Sequence, residues 1–124
     1  MKIQFSPPDM TELEIEEAIE VLRSGWITTG PKTKKLEQQI ADYCQVNQSV
    51  CLNSQTACAE MALRVLGIGP GDEVLVPAYT YTATASVVCH VGAKLVLVDV
   101  QEDSFEMDYD QMESQINENT KAVI

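Results

Sequence analysis

Ser49-Val50-Cys51-Leu52-Asn53-Ser54-Gln55-Thr56 is a short apolar run that breaks into polar residues, with helix-like sequence beginning at once. A strand that turns straight into a helix leaves the first amides of that helix without internal acceptors. Those donors, with the positive end of the helix dipole, suit an anion, most often a phosphate. The Asn53–Thr56 turn is therefore a candidate phosphate cup. Further on, Gly69-Pro70-Gly71-Asp72-Glu73 predicts a tight turn into a second apolar strand, Val74-Leu75-Val76, which runs out through Pro77-Ala78-Tyr79-Thr80-Tyr81-Thr82-Ala83-Thr84. Ligands of open α/β sheets sit at the carboxyl ends of strands, so both turns are expected to face one crevice, with Tyr81 near enough to cover a flat ring.

The flanking pattern alternates in the same way. Thr11 and Glu14 make a capping box, and Leu13, Ala18, Ile19 and Leu22 recur at helical spacing until Ser24-Gly25. After the Trp26–Gly30 loop, Pro31 suits a first helical position, and Leu36, Ile40, Tyr43 and Cys44 form one apolar stripe. A third helix is predicted from about Thr56 to Leu66, with Ala57, Met61, Ala62, Val65 and Leu66 inward and Gly67 as its stop. A fourth spans roughly Thr82 to Val91. Leu95 to Val100 reads as a doubly buried strand, and Asp108 with Gln111 caps a last helix in the manner of a capping box. Ala122-Val123-Ile124 looks like the beginning of another buried strand. That ending predicts the front part of a larger domain, interrupted within its sheet. The expected fold is α/β, a mostly parallel sheet with helices on both faces, with helices alone in residues 1–48 and alternating strands and helices in 49–124.

With 124 residues the chain suits one modest domain, and its 45% hydrophobic and 22% charged residues are those of a folded globular protein. A net charge of −11 argues against nucleic acid or an anionic membrane as partner, since both need a basic face. A phosphate must then be held by local amides. No apolar run approaches a membrane span, and Met1–Gln4 leads into Pro7-Pro8 without a signal-peptide core, so a cytoplasmic location is expected. Cys44, Cys51, Cys58 and Cys89 form no Cys-x-x-Cys pair and His90 is the one histidine, so no metal site is expected. Cys51 and Cys58 read as small buried hydrophobes. His90 reads as a helix-end cap or packing residue.

Five stretches in order carry a resemblance: Gly25-Trp26-Ile27-Thr28-Thr29-Gly30-Pro31, Asn53-Ser54-Gln55-Thr56-Ala57, Gly67-Ile68-Gly69-Pro70-Gly71-Asp72-Glu73-Val74, Pro77 to Thr84, and Gly92-Ala93-Lys94 before a strand ending at Asp99. Together they resemble the pyridoxal-phosphate-dependent sugar aminotransferases of the DegT/DnrJ/EryC1/StrS type across nearly the whole chain. The resemblance implies the N-terminal part of a fold type I transferase large domain, acting as a homodimer on glutamate and a keto sugar carried on a nucleotide. It implies that pyridoxal 5'-phosphate is held through its phosphate by Ser54, Gln55 and Thr56 and covered by Tyr81. By the same likeness Trp26, Thr28, Thr29 and Gly30 border the nucleotide-sugar site. The sequence departs from the family at Gln55, where many members carry a small residue.

The family's Schiff-base lysine and the aspartate facing the pyridinium nitrogen fall beyond residue 124 in its members. No catalytic residue is therefore assigned here, and neither Lys94 nor Lys121 receives a covalent role. The isolated chain is expected to be catalytically incomplete. Two other implications stay open: a non-catalytic ligand-binding or dimerising module, and a piece of a related pyridoxamine-phosphate sugar dehydratase, whose members replace the lysine with histidine. Residue by residue, Ser54 and Thr56 also suit a plain helix cap, Tyr81 and Trp26 also suit packing, and Thr28 and Thr29 also suit a turn.

Overall fold

Thr11 opens the first helix as its sequence requires. In the computed structural model, which describes residues 6–124, α1 runs Glu12–Ser24 with a complete capping box: Thr11 N–H donates to Glu14 Oε2 at 2.7 Å, and the Thr11 side chain accepts from Leu13 N. The reading of Met1–Gln4 lies outside the described residues. The chain divides between Cys51 and Leu52 into two compact units.

The first unit holds α1 and α2, Pro31–Cys44, which starts with Pro31 at its first turn and Gly30 at its N-cap. The expected stripe of α2 is not buried. Leu36, Ile40, Tyr43 and Cys44 are exposed, and Ala41 is the helix's buried residue. A helical period marks the side that gains from cover without supplying the cover.

The second unit carries α3 (Gln55–Val65), β1 (Glu73–Pro77), α4 (Thr82–His90), β2 (Lys94–Val98), α5 (Tyr109–Gln115) and β3 (Thr120–Val123). The strands form a parallel sheet in the order β2-β1-β3. The glycine turn into β1 forms as expected: Asp72 N donates to Gly69 O, and Gly69 N donates to Asp72 Oδ2, both at 3.0 Å. The apolar run of β1 is buried on both faces, as a central parallel strand should be. Val74 and Val76 face a core made with Leu63 of α3 and Val87, Val88 and Val91 of α4 and its end. Leu75 points to the opposite face and is fully buried. The β1-to-β2 crossover places α4 on the first face, packed against both strands.

At the start of the strands, Glu73 is buried beneath a surface lysine. Its carboxylate accepts from Lys94 Nζ and, at 2.8 Å, from Asn117 Nδ2, and these two donors hold its pKa below the usual glutamate value, Lys94 contributing most. The pair ties β1 to β2 where their register begins, Glu73 opposite Lys94.

Four expectations need correction. Val50–Leu52 is not a strand: Val50 and Leu52 are exposed, and Cys51 N donates to the Glu37 side chain instead of to a ladder. β character needs a neighbouring strand, and the described sheet offers none there. β2 is an edge strand, not a doubly buried one, and Leu97 is exposed beside buried Val98. The inward side of α3 is Ala59 and Leu63, while Met61, Ala62, Val65, Leu66 and Cys58 are exposed. Apolar residues occupy so many positions of that helix that several stripes fit one period. Finally, only half of the second capping box forms. Asp108 Oδ1 accepts from Gln111 N, but the Gln111 side chain turns to accept from Asp99 N.

Candidate functional site

Ser54 is the N-cap of α3. Its extended backbone (φ −162°, ψ 158°) starts the turn, its Oγ accepts from Ala57 N at 3.1 Å, and its carbonyl accepts the first helical bond from Cys58 N. Gln55 and Thr56 are thus the first two helical residues, whose amides have no intrahelical acceptor by geometry. Gln55 is exposed and Thr56 half-buried. The turn has the donor set expected of a phosphate cup: two amides unclaimed among the described residues, a threonine hydroxyl beside them and the positive end of an 11-residue helix.

Tyr81 is the N-cap residue of α4. It makes no side-chain cap and is 82% exposed, so its ring is not spent on the core. The two helix starts belong to one end of the unit. Further along, Glu60 at the middle of α3 accepts from Arg64 at 2.8 Å and meets His90 Nδ1 at 2.9 Å, while Arg64 Nη2 donates to the His90 carbonyl. α3 leads into β1 and α4 into β2, and these strands are parallel, so both helices begin at the carboxyl edge of the sheet. With a rise of 1.5 Å per residue, α3 begins about 8 Å before Glu60 and α4 begins about 12 Å before His90. Arg64 first, and His90 after it, holds the Glu60 carboxyl below its usual pKa. His90 therefore pairs with a carboxylate of the adjacent helix, a role that its place in the sequence did not reveal.

The Trp26–Gly30 loop belongs to the first unit. Trp26 Nε1 donates to Thr29 O at 3.0 Å, folding the indole back over its own loop. A Cβ at Gly30 would overlap Cδ1 and Nε1 of that indole, so the glycine is there for close approach. Trp26, Thr28 and Gly30, with Val21, Ile27 and Pro31, line a cavity of about 410 Å³. Thr29 contributes its carbonyl to the indole instead of a wall to the cavity. At 57% exposure, Trp26 is not a buried anchor. Lys32 also lines the cavity, but its ammonium is held by Glu17 and Glu20 of α1, which raise its pKa, Glu17 most. No local spacing signals that contact, which joins residues 12 and 15 positions apart.

Comparison with known proteins bears on this arrangement. The model of the DegT/DnrJ/EryC1/StrS aminotransferase family matches residues 8–124. The chain belongs to that family. Its relatives include the UDP-4-amino-4-deoxy-L-arabinose–oxoglutarate aminotransferase of Shewanella sediminis, 43% identical over 127 aligned positions that take in all of this chain and 33% of the relative. Among solved structures, Spr1654 from Streptococcus pneumoniae, described as a sugar aminotransferase, superposes in its PLP-form with a TM-score of 0.89 at 61% identity, covering 99% of this chain and 31% of that one. Its PMP-form matches equally. DesV of S. venezuelae, solved with a ketimine intermediate, superposes with a TM-score of 0.80 at 40% identity over 90% of this chain and 30% of its own. The chain spans about a third of the length of these family members. Its α/β architecture matches their N-terminal part. Among the described residues no helix is long and apolar enough to cross a membrane.

Proposed function

We propose that this chain supplies the phosphate cup and the ring cover of a pyridoxal-phosphate-dependent aminotransferase, one that moves an amino group from glutamate to a keto sugar linked to a nucleotide. The observation that carries the reading is that α3 starts with unclaimed amides and α4 starts with an exposed tyrosine, both at the carboxyl edge of the parallel strands. The residues fit the group. The Gln55 and Thr56 amides and the Thr56 hydroxyl would hold the phosphate, with Ser54 fixing the turn that aims them, and the Gln55 side chain is exposed. Tyr81 would lie on the pyridine ring. Once bound, the cofactor supplies an electron sink that labilises bonds at the amino-bearing carbon. This chain's share is binding, orientation and exclusion of water from one ring face. Trp26, Thr28, Thr29 and Gly30 would border the nucleotide-sugar, with the 410 Å³ cavity as the apolar part of that border. Family membership supports a homodimer and a cytoplasmic enzyme as further parts of this reading.

The test is release of 2-oxoglutarate from glutamate by the full-length protein, with and without a nucleotide-linked keto sugar. Sugar-dependent release at a rate that falls in Thr56→Val supports the proposal. Cofactor binding without any amino transfer favours the related dehydratase or a non-catalytic module, and failure to bind cofactor rejects the cup itself. The 124 residues alone are expected to bind without turnover and to form no reducible lysine adduct.

A further inference from the structure

Tyr79 and Phe105 come from different loops at the carboxyl edge of the sheet, yet their rings stack with centroids 4.8 Å apart and planes inclined by 26°. Both side chains are largely exposed, so the pair adds little to the core. What it joins is informative. Phe105 sits near the tip of a small hairpin, residues 99–108, closed by an antiparallel bridge between Val100 and Met107 and by bonds from Gln101 N to Glu106 O at 3.0 Å and from Asp108 N to Asp99 O at 2.8 Å. The base of that hairpin is fastened to α5, since Gln111 accepts from Asp99 N. It is a braced arm.

The other ring stands in the loop that delivers Tyr81. That loop is fixed at its entrance by Ala78 N donating to Val98 O at 2.7 Å and at its exit by the Thr80 and Thr84 hydroxyls, 3.0 Å apart. Tyr79 lies between those fixings, and Tyr81 itself, 82% exposed, has little packing of its own. An aromatic stack prefers an offset geometry and resists sliding, so it can hold a loop in one place without burying it.

We propose that Tyr79 and Phe105 are positioning residues: their stack clasps the Pro77–Tyr81 loop to the 99–108 hairpin and thereby sets the Tyr81 ring at the height needed to cover a cofactor. The role rests on the cofactor reading above; the clasp itself can be tested without any ligand. In the unliganded full-length protein, Phe105→Ala should speed hydrogen exchange of the Ala78 amide by about threefold to tenfold, the scale of one stacked pair, with Phe105→Tyr restoring it. Pyridoxamine phosphate, which has no aldehyde to react with a lysine, is the binding probe. Its affinity should weaken by a similar factor in Phe105→Ala and in Tyr79→Ala, the double variant being no worse than either, while Tyr79→Phe and Phe105→Tyr bind as the unsubstituted protein does. A purely structural pair would lower the melting temperature and leave affinity in the folded protein unchanged. Unaltered Ala78 exchange, or additive losses in the double variant, would overturn the clasp. Failure of the unsubstituted protein to bind pyridoxamine phosphate would instead overturn the cofactor reading, whatever the exchange result.

Discussion

Replacing Tyr81 with alanine should separate binding from stability. The side chain is 82% exposed and makes no cap to α4, so its removal takes no apolar area from the core and frees no helix amide. Surface substitutions of that kind change stability by no more than about 0.5 kcal/mol. An unfolding entropy of about 2.1 cal/mol/K per residue makes that a melting shift of about 2 °C at most for 124 residues, and less for a longer protein. Binding is another matter. A flat heteroaromatic base stacked on an aromatic side chain loses about 1–3 kcal/mol when that side chain becomes alanine. At 1.4 kcal/mol per tenfold, the expected weakening for pyridoxamine phosphate is about fivefold to 150-fold. Isothermal titration and a thermal melt on the same full-length variant read both quantities. A melt lowered by many degrees would mean that Tyr81 packs into the fold, and an unchanged affinity would mean that it never touches the ring.

Three further outcomes follow from named contacts. Ser54→Ala removes the acceptor of Ala57 N and should cost about 1 kcal/mol in urea unfolding, with Ser54→Gly costing only a few tenths; equal stability in all three proteins would show that the cap is idle. Gly30→Ala should displace the indole of Trp26, the one tryptophan, and shift its emission to the red with loss of intensity; unchanged emission would contradict the close approach. The Glu73 pKa is depressed by Lys94 and Asn117, so the folded form binds a proton less readily than the unfolded chain. The stability this gives is present above the ordinary value of about 4.5 and disappears as pH falls through the lower folded value. Glu73→Gln should therefore flatten the acid limb of the stability profile, and an identical acid limb would remove Glu73 from it.

Local chemistry made part of the fold legible. The Thr11–Glu14 box, Pro31 at the start of α2 and the glycine turn before β1 each satisfy backbone groups within a few residues, so sequence spacing suffices to read them. Burial depends on distant partners, so local spacing does not settle it. The run Leu95–Val98 looks the same in a central strand as at an edge, and Val50–Leu52 looks like a strand although no ladder receives it. The site divides in the same way. Ser54 as a cap before two free amides follows from residue types alone. The clasp of Tyr79 by Phe105, 26 positions apart, and the hold of Lys32 by α1 depend on tertiary geometry that no short motif encodes.

The central claim is that the first amides of α3 bind a phosphate beneath the Tyr81 ring. Amide chemical shifts of ¹⁵N-labelled protein titrated with pyridoxamine phosphate test it most directly. The account predicts saturable shifts centred on Gln55, Thr56 and Ala57 together with ring-current shifts at Tyr81, and inorganic phosphate reproducing the first set without the second. Shifts confined to other residues, or none at Gln55 and Thr56 at saturating ligand, would contradict it.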